Sequence, residues 1–187
     1  MKTRSVGPSL SRWAAFTTRV KTWTEILARD NHRMVALERS IFCDRYVFAL
    51  NCFQSGLMAE WEWQIYCRMW DFINSQNWCA RPDLVVYVRT PAEVCLERIL
   101  DKRGRKEEAA IPLEYLQALE VLHDEWLASP ALPESQCLVN GILTPVLYLD
   151  GVRRWTAAEL RKQIEASLPE KTIELPWGAR GASLTGG

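Results

Sequence analysis

The chain is 187 residues long, 48% hydrophobic and 25% charged, with 23 Lys and Arg balanced by 23 Asp and Glu. That length suits a single domain, the zero net charge supplies no basic field for wrapping a nucleic-acid polymer, and no apolar run reaches the roughly 20 residues of a membrane span. The cysteines at 43, 52, 67, 79, 95 and 137 form no C-x-x-C pair, and only His32 and His123 could help them hold zinc, so reduced structural thiols in an intracellular compartment are expected.

From the start of the chain to Thr24 the charged residues are all basic (Lys2, Arg4, Arg12, Arg19 and Lys21), and Ser and Thr are frequent. This composition fits an organelle transit peptide. Leu10, Trp13, Ala14, Val20, Trp23 and Leu27 also recur at helical spacing, which predicts a helix from about Ser9 to Ala28. The two readings overlap.

Met34 to Leu37 reads as a buried strand that ends at Glu38-Arg39-Ser40. Leu84 to Val88, ending at Arg89-Thr90, and Pro145 to Leu149, ending at Asp150-Gly151, repeat the pattern. Apolar runs without alternation predict strands covered on both faces, as in a parallel sheet. Helices are expected from Asp44 to Ser55, Glu60 to Asn74 and Ile111 to Leu127, after a Thr90 cap, and after a Thr156 cap with Glu159 three residues on. This alternation is that of an α/β domain.

Parallel sheets bind ligands at the carboxyl ends of their strands, so Glu38-Arg39-Ser40, Arg89-Thr90 and Asp150-Gly151 should face one crevice. A carboxylate beside a guanidinium suits a phosphate group carrying Mg²⁺, although Glu38 and Arg39 could equally form an ion pair. Arg98, Arg103 and Arg105, with Lys102 and Lys106 around Gly104, make an anion clamp of the kind phosphoryl transfer uses. A solvated basic helix end is the alternative.

These residues resemble the deoxyribonucleoside kinases. The segment Glu38-Arg39-Ser40, followed by Asp44-Arg45-Tyr46 and Phe48, is similar to that family's E-R-S…D-R-Y-x-F block. The stretch from Arg89-Thr90-Pro91 through Glu107-Glu108 to Ile111-Pro112-Leu113-Glu114-Tyr115-Leu116 is similar to its helix-and-lid block, and His123-Asp124-Glu125-Trp126-Leu127 completes it. The similarity runs from about Ser9 to Leu168, so the kinase-like domain is taken as 1–168 and the C-terminal tail as 169–187, Gly-rich from Gly178 to Gly187.

The resemblance implies a P-loop-kinase-like α/β fold: a parallel sheet with helices on both faces. It implies ATP-dependent phosphorylation of a deoxyribonucleoside 5′-hydroxyl in nucleoside salvage, with ATP and Mg²⁺ as cofactors. Glu38 would help hold Mg²⁺, and Arg39 would lie near the 5′-hydroxyl. Asp44 would accept from an exocyclic amine of the base, Phe48 would stack on the base, and Arg12 would reach it. Arg98, Arg103 and Arg105 would be lid arginines on the phosphates, and Glu108 would bind the sugar 3′-hydroxyl. Gly151, Val152, Arg153 and Trp155 would line the ATP adenine. A homodimer built through helices is implied, with no nucleic-acid polymer or membrane as partner, in the cytoplasm or mitochondrion.

No Gly-Lys dipeptide occurs, so the chain is expected to correspond to the later part of such a kinase, with the N-terminal strand and P-loop missing. Removing that strand should leave the strands at Met34 and Leu84 either paired directly or with open edges. Arg98 and Arg103 stand five residues apart where the family has four, and one extra residue turns a helical position by about 100°, so one lid arginine should point elsewhere. Two other readings stay open: a non-catalytic nucleoside-binding or dimerisation partner of a full-length kinase, and a nucleoside-monophosphate kinase.

Overall fold

The computed structural model describes residues 8–28, 35–76, 81–103 and 111–169. The first element is the expected helix, α1 (Pro8–Leu27). Phe16 and Trp23 are buried along it, and Trp13 and Val20 pack beside them, so this basic stretch is an integral wall of the core.

No strand forms over Val35–Leu37, and Met34 lies outside the described residues. The strand expected there is corrected to an irregular lead-in whose Leu37 packs on the core. A strand needs a ladder partner, and no described strand pairs with this segment. Ser40 then starts a helical segment by accepting the Cys43 N–H at 3.1 Å. The segment runs from α2 (Ile41–Cys43) through a π-helical stretch (Asp44–Ala49) into α3 (Leu50–Gln54). In α4 (Glu60–Ser75), Glu62 accepts the Ala59 N–H at 2.7 Å, while Tyr66, Trp70 and Ile73 face inward at helical spacing.

The sheet has three strands in the order β1-β3-β2. β1 (Val85–Arg89) lies parallel to β3 (Ile142–Asp150), with Arg89 opposite Asp150. β2 (Gln136–Val139) is antiparallel to β3, so the sheet is mixed rather than wholly parallel. The missed strand had a local signal: Asn140 and Gly141 both take positive φ (51° and 73°), the geometry of a tight hairpin turn between apolar runs. Coverage on both faces is also corrected for β1. Tyr87 is buried, but Val86 and Val88 on the opposite face are 40% and 55% exposed, and β1 is an edge strand among the described residues.

After β1, Pro91 rather than Thr90 caps α5 (Ala92–Arg98). The Thr90 side chain lies against Gly151, and Glu120 accepts the Ala92 N–H at 2.9 Å in its place. A second π-helical turn (Ile99–Arg103) extends α5; a π turn takes one residue more than an α turn and so absorbs part of the five-residue spacing between Arg98 and Arg103. Helix α6 (Leu113–Leu127) carries Leu122 and Leu127 into the core. Helix α7 (Ala157–Ser167) packs against β3 and opens with the expected Thr156–Glu159 capping box.

Candidate functional site

Asp44 is fully buried where α2 passes into the π-helical stretch. Arg12 and Arg19 lie seven residues apart, two turns along one face of α1, and both reach it. Asp44 Oδ1 accepts from Nη1 of Arg12 at 3.1 Å and from Nη1 of Arg19, while Oδ2 accepts the Tyr66 hydroxyl at 3.0 Å. A buried carboxylate is tolerable only with such partners. Burial, reinforced by the Asp44 charge, pushes the Tyr66 hydroxyl far above its ordinary range, so it remains a donor. Tyr66 is itself stacked parallel to Trp63 at 5.8 Å, and Trp63 on Phe53 at 5.0 Å.

Phe48 follows in the same π-helical stretch. The Arg12 guanidinium stands 5.5 Å from its ring centroid and the Arg39 guanidinium 5.2 Å. Arg39 holds a left-handed backbone (φ 56°) just before the Ser40 cap, and it makes no ion pair with its exposed neighbour Glu38. The structure therefore brings Arg12, Arg39, Asp44 and Phe48 together, with Glu38 at the edge.

His123 forms the wall behind them, edge-on to Phe48 at 6.2 Å and stacked on Tyr87 at 5.8 Å. Its Nδ1 meets the Leu119 carbonyl at 2.7 Å, which fixes the proton on that nitrogen and leaves Nε2 to accept the Cys43 thiol at 3.5 Å. Burial lifts the Cys43 thiol to about 11 and lowers His123. The pair is a neutral hydrogen bond and not an activated nucleophile. The described cysteines are all unbridged.

A second constellation sits at the carboxyl ends of β1 and β3. The Gly151 N–H donates to the Arg89 carbonyl at 2.8 Å, Val152 N–H to Asp150 Oδ1 at 2.8 Å, and Trp155 Nε1 to the Asp150 carbonyl at 2.9 Å. The Arg153 guanidinium lies 4.2 Å from the Trp155 ring centroid and pairs with Glu159. Arg98 donates to the carbonyls of Gly151 (2.8 Å) and Val152 (3.4 Å), so its guanidinium ties down this loop. Arg89 pairs with Asp124 at 2.5 Å, and Asp124 also accepts the Tyr87 hydroxyl at 3.0 Å. Arg105 and Glu108 lie outside the described residues, as does the side chain of Arg103.

Sequence reasoning missed Arg19, Tyr66 and Asp124. Arg19 had a signal, its seven-residue offset from Arg12, and Asp124 stood in the His123-Asp124-Glu125-Trp126-Leu127 block without a role; Tyr66 had none. Chemically, the first cluster sets three guanidiniums (Arg12, Arg19 and Arg39) against one carboxylate, an arrangement suited to an acceptor-rich or anionic ligand beside an aromatic face. No group of three His, Cys, Asp or Glu side chains among the described residues could hold a metal ion. A groove of about 440 Å³ between Tyr46, Trp126, Leu132 and Leu138 contains none of the predicted site residues.

The family model described as deoxynucleoside kinase matches residues 11–172. Among curated proteins, deoxycytidine kinase of Mus musculus is 44% identical over 114 residues, covering 60% of this chain and 43% of the relative. Mitochondrial thymidine kinase 2 of Homo sapiens is 38% identical over 128 residues, covering 65% and 46%. Deoxycytidine kinase 1 of Xenopus laevis is 38% identical over 149 residues, covering 79% and 54%. The chain thus spans about half the length of the curated relatives it matches.

Proposed function

Because the chain belongs to the deoxynucleoside kinase family, we propose that it carries the nucleoside-gripping part of an ATP-dependent enzyme that phosphorylates a deoxyribonucleoside 5′-hydroxyl in nucleoside salvage. The observation that carries this reading is the convergence of Arg12, Arg39, Asp44 and Phe48 within the matched segment. Phe48 offers a ring for base stacking, and Arg12 lies beside that ring with donors to spare. Arg39, beside the same ring, is the proposed brace for the 5′-oxygen and the phosphoryl group as charge develops on it.

Glu38 is the proposed Mg²⁺ contact. A single exposed carboxylate fits a cation that arrives on nucleotide phosphates and keeps its waters, not one held in a protein cage. Bound there, Mg²⁺ supplies neutralisation of phosphate charge. Arg103 and Arg105 are the proposed lid arginines and Glu108 the 3′-hydroxyl ligand. Arg98, which donates to the loop carbonyls, is proposed to shape the ATP-adenine loop of Gly151, Val152, Arg153 and Trp155. Stacking of Arg153 on Trp155 supports that loop as a platform for an aromatic ring.

A homodimer is proposed through α4, where Trp61, Ile65 and Met69 recur every four residues and are 63%, 45% and 41% exposed on the side away from the core. No helix among the described residues is long and apolar enough to cross a membrane. The cytoplasm or mitochondrion is the proposed compartment; the mitochondrial relative supports the latter. The relatives favour neither a non-catalytic partner nor a nucleoside-monophosphate kinase.

Calorimetric titration of the full chain with each deoxynucleoside, alongside transfer of labelled γ-phosphate from ATP, tests the proposal. Binding that is lost in Phe48→Ala is expected. No binding of any nucleoside at millimolar concentration would refute it.

A further inference from the structure

The χ2 torsion of a phenylalanine is broad, so the plane of its ring is decided by what stands against it. The Arg12 and Arg39 guanidiniums that lie over Phe48 sit on long stems with many rotamers. His123, perpendicular to Phe48 at 6.2 Å, is the rigid neighbour. Its Nδ1 donates to the Leu119 carbonyl at 2.7 Å, its Nε2 accepts the Cys43 thiol at 3.5 Å, and Tyr87 lies within 10° of parallel to its ring at 5.8 Å. Tyr87 is tied in turn through its hydroxyl to Asp124. Burial keeps His123 neutral, so this wall adds no charge beside Arg39.

Cys43 and Phe48 stand five residues apart, a spacing that in an α-helix puts two side chains about 140° apart around the axis. The stretch Asp44–Ala49 is π-helical, and the i→i+5 bonding of a π turn brings residues at this spacing onto one face. Both meet His123 there. Resting on the nucleoside-binding reading above, we infer that His123 is a positioning residue for the nucleoside: held on α6 and against β1, it engages Cys43 and Phe48 across one π turn and fixes the plane in which Phe48 offers its ring to the base. It acts through Phe48 and needs no contact with the nucleoside itself. The Cys43 contact holds the π register, and the imidazole ring sets the angle of Phe48. This gives the π-helical turn a purpose, since α-helical winding would turn Cys43 and Phe48 to different neighbours.

The test is equilibrium binding of thymidine, deoxyguanosine, deoxycytidine and deoxyadenosine to the full chain, to His123→Gln and to His123→Phe. His123→Gln keeps a polar group near Nε2 and loses the ring; His123→Phe keeps an aromatic ring and loses both hydrogen bonds. Nucleosides that bind the unsubstituted chain should bind His123→Gln about 3–10-fold more weakly, the worth of an aromatic pair, and His123→Phe within about twofold of the parent. A merely structural role would not give this order, because His123→Phe surrenders more hydrogen bonds. Undiminished binding in His123→Gln overturns the inference, and so does a loss in His123→Phe as large as that in His123→Gln. The unsubstituted chain supplies a reading that needs no variant to fold. Its histidines are His32 and His123, and the ring-proton resonance of His123, assigned by magnetisation transfer from the Tyr87 ring, should shift when nucleoside saturates the site. A resonance that stays in place overturns the inference. Failure of the parent to bind any of the four overturns the nucleoside reading itself, an outcome distinct from binding that ignores His123.

Discussion

Gly151 lies so close to Thr90 that a methyl group in place of its hydrogen would stand 1.8 Å from Thr90 Oγ1 and 2.8 Å from the carbonyl oxygen of Arg89. The ends of β1 and β3 meet at this point, and the Gly151 N–H donates across it. A side chain can rotate away, but the Arg89 carbonyl is fixed in the sheet. Gly151→Ala should therefore cost about 1–3 kcal/mol, as overpacking does. Urea denaturation measures it, and a variant as stable as the parent would show that the loop from Gly151 to Trp155 is not held in this way.

Tyr66→Phe removes the hydroxyl that serves Asp44 Oδ2 while leaving both guanidiniums in place. A hydrogen bond to a buried charge is worth about 1.5–3 kcal/mol, and that loss is expected. Asp44→Asn removes the charge itself and strands two partly buried guanidiniums, at an expected cost of about 3–5 kcal/mol. Denaturant midpoints should rank the parent above Tyr66→Phe, and Tyr66→Phe above Asp44→Asn.

His123 gives the fold a pH dependence. Burial holds its pKa below the ordinary 6.5, so the unfolded chain takes up a proton that the folded chain resists. Stability contributed in this way is fully present above about pH 6.5 and is lost as pH falls through the lower folded value. In His123→Gln the decline between pH 7.5 and pH 5 should be shallower than in the parent. Parallel declines would assign the acid sensitivity to other groups.

Thr156→Ala takes the hydroxyl from the Glu159 N–H at the start of α7, where Thr156 and Glu159 cap each other's backbone. The helix buries no residue, so its capping box matters more than its packing. A loss of about 1 kcal/mol is expected, together with faster amide exchange in the first turn of α7. Unchanged exchange there would contradict the role of the cap.

Ile65→Lys places a charge in the middle of the exposed stripe of α4. Surface substitutions away from the core change stability by about 0.5 kcal/mol or less, so the folded subunit should persist. Sedimentation equilibrium should show a dimer for the parent and a monomer for the variant. A parent that sediments as a monomer removes the dimer proposal.

Helices α1, α4, α6 and α7, strands β1 and β3, and the family blocks were all legible in the chain. Their signals are local: apolar residues every three or four positions, a Thr followed three residues later by Glu, and a short apolar run closed by a charge. Even the missed hairpin was written locally, in Asn140-Gly141. The strand expected at Met34 failed because an apolar run does not say whether a neighbouring strand exists to pair with it.

The sequence by itself determined which of the main helices form and that the chain resembles a kinase of deoxynucleosides. Only the tertiary structure decided what each charged group does. Arg12 reaches Asp44 across 32 residues, and Arg98 reaches Gly151 across 53. No periodicity spans such separations, because the pairing of a guanidinium with one acceptor rather than another is settled by how α1 and the strand ends pack. Burial then makes that choice costly to undo, which is why Asp44, exposed on paper to any ligand, is committed in the fold to Arg12, Arg19 and Tyr66.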